Sequence, residues 1–349
     1  MSTIDTDIQS TPAILQQTLE RLATASAQAE AALAEDRIFN SDHAEGAQGS
    51  ARSFFSAWSE ATVGSSHSGH APDLAQGHPM VFLGCGSSYA IALAAAALYE
   101  KQLGRPAQAI MASEYRPRPG WTHLAISRTG QTSELIAAMQ QARAVGARVL
   151  LIDGEPSAPA EAQADATLTL EFAPEQGIIQ TRFISATLLA LHLLIGGKQA
   201  KQSLEALPLL VKQGLDSFDP SPYLAFDHIV FLGQGVHYGL ARLAALNLQE
   251  TATIWPEAHQ TMEYRHGPMA AADEDTLIWS FDPPDDAASA KVLEEARRTG
   301  ATIHSSGTHP LVQVVQAQHL AVQYAITHGI DPDAPRHIAR AVVLPPSEA

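Results

Sequence analysis

Four hydroxyls and a glycine crowd into the stretch Ser127-Arg128-Thr129-Gly130-Gln131-Thr132-Ser133-Glu134, directly after an apolar run and directly before a helical pattern. The hydroxyls of Ser127, Thr129 and Thr132, with backbone N–H groups freed by Gly130 and by a helix start, can converge on one anion such as a phosphate. The same turn also reads as a helix N-cap, since Ser and Thr open helices and a downstream Glu completes a capping pattern. Three hydroxyls with a glycine at a strand-to-helix junction carry the reading beyond a cap. Cys85, the single cysteine, lies inside a Gly-x-Gly turn. With no base beside it in sequence, it reads as a small turn residue rather than a nucleophile. His67 and His70 sit among Gly and Ser in a stretch with the composition of a loop. A metal-dependent hydrolase built on them is therefore a weak reading, and neither metal nor cofactor is expected.

The elements that must position these residues are announced by a repeat. Val81-Phe82-Leu83-Gly84-Cys85-Gly86 returns as Val230-Phe231-Leu232-Gly233-Gln234-Gly235, an offset of 149 residues, and the register continues to Tyr89 with Tyr238 and Ala92 with Ala241. Each copy is a β-rich run ending in Gly-x-Gly before an alanine- and leucine-rich helical segment, so a ligand-binding α/β unit is read as duplicated. Strands are predicted at 80–83, 107–112, 124–127, 148–152 and 166–172, with helices at 87–103, 132–145 and 181–195. The second unit is read as strands at 228–232, 276–281, 301–304 and 311–315 with helices at 238–251, 287–299 and 319–327. Such alternation predicts an α/β fold with mostly parallel sheets covered on both faces. Ahead of the first unit, 14–35 reads as one amphipathic helix with Pro12 at its start, and 36–77 as loop with a short helix around Phe54 and Trp58.

Composition excludes several classes. The chain has 349 residues, 21 basic against 37 acidic side chains and a formal charge of −16, which disfavours a nucleic-acid partner that would need clustered Lys and Arg. One cysteine forbids an intrachain disulfide and suits a reducing compartment. The start lacks a basic-then-apolar leader pattern, and the longest greasy stretch, 183–195, is shorter than the roughly 20 residues of a membrane span. No membrane partner and a cytoplasmic location are expected.

Five stretches together carry a family resemblance: Gly84-Cys85-Gly86-Ser87-Ser88-Tyr89, Ala112-Ser113-Glu114-Tyr115-Arg116, the turn from Ser127 to Thr132, Leu248-Gln249-Glu250, and Arg265-His266-Gly267-Pro268. In this order they resemble the tandem sugar isomerase (SIS) domain proteins, most closely the isomerase half of glucosamine-6-phosphate synthase and the related sugar-phosphate deaminases and deglycases. The resemblance runs from about Asp7 to the C-terminus. It implies two tandem SIS domains, each a flavodoxin-like three-layer αβα unit, at 78–198 and 225–349, with an arm at 1–77 and a linker, helical in part, at 199–224.

It also implies that Ser87, Ser88, Ser127, Arg128, Thr129, Thr132, Gln180 and Arg340 hold the sugar phosphate. Glu250 matches the base that moves a proton between C1 and C2, and His266 the residue that opens the sugar ring. In the family that histidine crosses a dimer interface, so a homodimer is implied, with 262–268 read as the loop that reaches the neighbour. Aldose–ketose exchange requires such a pair, a base near the α-carbon and an acid–base group at the ring oxygen.

Departures narrow the reaction. Ser2 follows Met1 where the synthase has a glutaminase cysteine, so no glutaminase activity is expected. Arg340 stands in place of the imine-forming lysine, and the five lysines, Lys101, Lys198, Lys201, Lys212 and Lys291, lie elsewhere. Arg128 stands where the synthase has an uncharged contact, which adds positive charge to the cradle or serves another anion or an ion pair. Leu243 and Asn247 replace a glutamate and a lysine of the synthase, so Glu250 is expected in drier surroundings with a raised pKa. The expected function is C1/C2 isomerisation of a hexose 6-phosphate or amino-sugar 6-phosphate. The alternatives are a deaminase or fructosamine-6-phosphate deglycase, and a non-catalytic sugar-phosphate binding protein.

Overall fold

Along the central strands successive buried side chains face opposite ways, and this alternation builds the layers. The computed structural model describes residues 2–35 and 78–345. The short helix expected near Phe54 and the histidines His67 and His70 lie outside the described residues. In chain order the elements are α1 (Thr3–Gln9), α2 (Thr11–Glu35), β1 (Met80–Gly84), α3 (Ser87–Leu103), β2 (Ala107–Met111), β3 (Thr122–Ser127), α4 (Ser133–Ala144), β4 (Val149–Asp153), β5 (Ala166–Thr169), α5 (Arg182–Leu204) and α6 (Leu207–Ser217). The second unit continues with β6 (His228–Gly233), α7 (Val236–Ala252), β7 (Glu257–Gln260), α8 (Thr261–Tyr264), β8 (Thr276–Ser280), α9 (Ala287–Arg297), β9 (Thr302–Ser305) and α10 (Pro310–Thr327).

Both sheets are parallel, ordered β2-β1-β3-β4-β5 and β7-β6-β8-β9. This is the flavodoxin-like order, in which ligands bind beyond the carboxyl ends of the strands where the order reverses. On the outer face of the first sheet Val81, Leu83, Ala125 and Leu151 pack with Leu135 and Met139 of α4. On the outer face of the second, Val230, Leu232 and Ile278 pack with Val292 and Leu293 of α9. The inner faces share one core, in which Phe82, Leu124 and Ile152 join Phe231, Leu277 and Trp279 through residues of α3, α5, α7 and α10. The apolar stripe of α2, including Ile14, Leu15, Leu19 and Leu22, is buried in the same core. A helix that cannot bury its own apolar face has found a cover.

The repeated first glycine has a packing reason. A Cβ on Gly84 would lie 2.5 Å from the backbone carbonyl of Ser88, and one on Gly233 would lie 2.4 Å from that of His237. In both units the glycine lets the strand end meet its own helix, rather than a ligand.

Several expected elements differ. The stretch 311–315, read as a strand, is the first part of α10. Pro310 opens that helix, and the Nδ1 of His309 accepts the Leu311 N–H at 3.2 Å. Its residues Leu311 to Gln318 are all buried, and burial all round erases the periodicity that marks an amphipathic helix. The segment 262–268, read as loop, begins inside the single-turn α8. Strand β7, a polar and partly exposed edge, has no apolar signal in the sequence, and α1 too lies outside the expected elements. Helix α5 runs past its expected end through Gly197, which leaves helical geometry (φ 56°, ψ −142°). No helix among the described residues is long and apolar enough to cross a membrane.

Candidate functional site

The hydroxyl-rich turn forms at the carboxyl end of β3, all six residues of which are buried. Gly130 takes φ +58°, and a Cβ there would lie 2.5 Å from the Cβ of Ala158, so no other residue fits the bend. Ser127 Oγ accepts the Gly130 N–H at 2.9 Å and Thr129 Oγ1 accepts the Gln131 N–H at 3.3 Å. Both hydroxyls thus use their oxygens to brace the turn and keep their protons to donate. Thr132 stands at the N-cap of α4, but its side chain makes no capping bond. The pocket over this turn is lined by Ser88, Ser127, Arg128, Thr129, Thr132, Gln180 and Arg340. Seven of the eight expected binding residues therefore share one concavity. Ser87, buried at the first position of α3, is not among its lining residues.

Arg128 does something the sequence did not announce. Its guanidinium is buried and donates to the carbonyls of Ile178 at 2.8 Å, Gly177 at 3.4 Å and Arg340 at 2.7 Å. The fork thereby ties the turn to the loop carrying Gln180 and to the C-terminal tail. Further on, Val342 O accepts the Ser133 N–H at 3.2 Å, and Ser133 Oγ accepts the Leu344 N–H at 2.9 Å. A tail that leaves the second unit thus closes over the pocket of the first. Arg340 itself reaches Glu155 at 2.8 Å, with both side chains partly exposed.

The Gln180 loop is fixed from behind by two carboxylates. Asp7 Oδ2 accepts the N–H groups of Gln176 and Gly177 at 2.9 Å each, and Asp7 pairs with Arg182 at 2.6 Å. Glu175 accepts the N–H groups of Thr181 at 2.6 Å and Phe183 at 2.9 Å, and burial pushes its carboxyl up to about 7. Asp153, paired in register with Ser127 at the end of β4, is fully buried, and burial pushes it up to about 7 as well. Sequence reasoning missed all three. Asp153 carries a usable signal, an acidic residue ending an apolar strand beside the cradle, whereas Asp7 and Glu175 lie far apart in sequence and meet one loop only in the fold. Burial and the neighbouring Glu134 push the Cys85 thiol up to about 11, which suits an inert turn residue.

Glu250 lies half-buried near the end of α7, and burial pushes its carboxyl up to about 7. The Arg128 charge and the Asn247 amide one turn earlier pull the other way without cancelling burial. The amide of Asn247 is spent partly on Gln318, whose Nε2 donates to Asn247 Oδ1 at 3.2 Å. His266 is exposed beyond α8, and its backbone N–H donates to Glu263 O at 2.9 Å. Among the described residues no hydrogen bond or ion pair joins its ring to Glu250 or to the pocket. Arg128, which lines the hydroxyl-rich pocket, is also the charge that acts on the Glu250 carboxyl.

The SIS domain model matches residues 73–196 and 225–327. The chain belongs to the SIS domain family. Among curated relatives of this SIS-domain chain is the glutamine–fructose-6-phosphate aminotransferase (isomerizing) of Xylella fastidiosa, 29% identical over 75% of this chain and 51% of the relative. The chain spans about half the length of the curated relatives it matches. Glucosamine-6-phosphate deaminase from Thermotoga maritima has a similar structure, with TM-score 0.68 and 28% identity over 76% of this chain and 91% of that one. The tagatose-6-phosphate ketose/aldose isomerase of Escherichia coli shares the fold at TM-score 0.75 and 16% identity, covering 100% of this chain and 97% of that one.

Proposed function

We propose that this SIS-domain chain is a phosphosugar isomerase acting on a hexose 6-phosphate or an amino-sugar 6-phosphate. The observation that carries the reading is the half-buried Glu250, its carboxyl held at about 7, within the field of an arginine that lines a hydroxyl-rich pocket. A carboxyl poised near neutrality can both accept and return a proton. Ser88, Ser127, Thr129, Thr132 and Gln180 offer hydrogen bonds to phosphate oxygens, and Arg340 adds positive charge at the rim. With the ester anchored there, the Glu250 carboxylate takes the proton from C2 of the open-chain aldose or from C1 of the ketose. The C–H electron pair moves into the C1–C2 bond, the carbonyl oxygen gains a proton, and an enediol forms. Returning the proton to the other carbon completes the exchange.

Ring opening needs a proton at the ring oxygen and its removal from the anomeric hydroxyl. We assign this to His266 of a second copy, because the residue is exposed in its own chain and no hydrogen bond or ion pair among the described residues joins its ring to Glu250 or to the pocket. The active unit is then a homodimer, with the cradle in the unit 78–198, the base and histidine in the unit 225–349, a linker at 199–224 and an arm at 1–77. A cytoplasmic setting fits an anionic phosphate ester that does not cross membranes unaided.

A second reading, a deaminase or deglycase, is favoured by the 28% identity to a glucosamine-6-phosphate deaminase. It shares the proton transfer and differs in the next step, in which the enaminol tautomerises to an imine that water hydrolyses with loss of the amine. The test is NMR in deuterated water with fructose 6-phosphate, glucosamine 6-phosphate and fructosamine 6-phosphate. Deuterium at C1 or C2 is expected with at least one of them, and released ammonia or amine identifies the second reading. Binding without exchange in any of the three would leave a non-catalytic sugar-phosphate binder.

A further inference from the structure

The two units are built alike but do not carry the same side chains at the same place. Leu83 of β1 pairs with Ala125 of β3, and its repeat partner Leu232 of β6 pairs with Ser280 of β8. Two residues further along, Ser127 in the first unit therefore corresponds to Asp282 in the second. The 149-residue offset likewise matches Cys85 with Gln234 and Ser88 with His237. Leu135 and Ser289 are each the third residue of the next helix, α4 and α9. In the first unit Cys85, Ser88, Ser127 and Leu135 all line the pocket.

In the second unit three of the corresponding positions, Gln234, His237 and Ser289, close on the fourth, the carboxylate of Asp282, with Thr261 as a further donor. Asp282 is 2% exposed. Its Oδ1 accepts the Gln234 backbone N–H at 2.8 Å and faces His237 Nδ1 at 3.1 Å. Its Oδ2 accepts from Thr261 Oγ1 at 2.5 Å and from Ser289 Oγ at 2.8 Å. Burial would raise this carboxyl, but the hydrogen bonds, led by that of His237, outweigh it and hold the group below its usual value. Asp286 caps α9 with its own side chain at 2.8 Å, whereas Thr132 leaves the start of α4 without a side-chain cap. A buried anion with four donors around it stands where the first unit is open.

We infer that Asp282 is a built-in anion occupying the second unit's counterpart of the phosphate position, so that the duplicated chain takes one phosphate ester and keeps a latent anion site beneath Asp282. This rests on the reading of the first unit's pocket as the phosphate site. The latent site's donors are the Gln234 N–H, His237, Thr261 and Ser289, a set suited to a tetrahedral oxyanion. The acidic substitution also tethers Thr261, at the start of the segment that leads to His266, so the second unit gains rigidity where it gives up a ligand.

The test is calorimetric titration of the full chain with inorganic phosphate. The unaltered protein is expected to bind one phosphate per chain, and Thr129→Ala to weaken it about 10- to 100-fold. Asp282→Ser is expected to bind two, one of which keeps its affinity when Thr129→Ala is added, and to melt higher in phosphate than in chloride. Asp282→Asn, which keeps the position filled, is expected to gain none. Two phosphates on the unaltered chain, or no second phosphate on Asp282→Ser, would overturn the inference. No phosphate on the unaltered chain but one on Asp282→Ser would overturn the reading of the first pocket and leave the inference standing. Should Asp282→Ser not fold in chloride, recovery on refolding in phosphate supports the inference, and equal failure in both overturns it.

Discussion

Replacing Glu250 by Gln removes the ionisable group and keeps its shape, which gives two independent readouts. As the proposed base, its loss should lower turnover by about 10²- to 10⁴-fold. Phosphate affinity should be almost unchanged, because the residue does not line the pocket. The second readout is stability. Burial raises the carboxyl from 4.5 to about 7, and each unit is worth about 1.4 kcal/mol. The raised value means the folded state holds its proton longer than the unfolded chain, so stability from this group is complete below about 4.5 and is lost as pH rises to about 7. Above that the buried carboxylate costs the wild-type fold about 3 kcal/mol at most, a ceiling set by solvent relaxation around a half-buried group. Urea unfolding at pH 5 and pH 8 should therefore show the wild type losing about 2 kcal/mol more than Glu250→Gln over that interval. The comparison cancels Glu175 and Asp153, which titrate in the same window in both proteins. In the wild type kcat/KM should rise with pH and level off above about 7. Turnover above one-tenth of wild type would refute the base assignment. An unchanged stability gap between pH 5 and 8 would refute the raised carboxyl itself.

Three further outcomes are expected. Thr129→Ala removes one donor to a charged ester, worth about 1.5–3 kcal/mol, so KM should rise about 10- to 100-fold with a smaller change in kcat; an equal fall in both would place Thr129 outside the binding step. Gly130→Ala forces a Cβ to within 2.5 Å of Ala158 at φ +58°, and should destabilise the protein by about 1–3 kcal/mol while abolishing phosphate binding, as read by thermal melts and titration. Arg128→Lys keeps the charge but loses the planar fork that holds three carbonyls. Hydrogen exchange at Leu344 and protease cleavage within 338–345 should speed up, and unchanged protection would mean the tail is held without Arg128.

Much of the fold was legible because its signals are local. The apolar runs at β1, β3, β4, β6 and β8 are fully buried strands bounded by turn residues, and the Gly-x-Gly repeat marks the same helix-packing constraint at Gly84 and Gly233. Where burial was complete around a helix, as in α10, or where an edge strand was polar, as in β7, the local pattern carried no such signal. The hydroxyl turn from Ser127 to Thr132 was readable for the same reason, since its residues lie within one turn and meet without help from the rest of the chain.

What the sequence by itself determined is thus the duplicated strand-turn-helix unit, the hydroxyl-rich turn after β3 and the family to which the chain belongs. Only the tertiary structure decided how the charges are spent. Arg128, which the sequence offers as a phosphate contact, lines the pocket and also donates its fork to the carbonyls of Gly177, Ile178 and Arg340, residues 49 to 212 positions away. Asp282 carries no sequence signal of its role, yet four donors from separate parts of the chain surround it. The physical reason is common to both: burial removes water as a partner, so a charged group takes whatever polar groups the fold delivers, and distance along the chain says nothing about which those are.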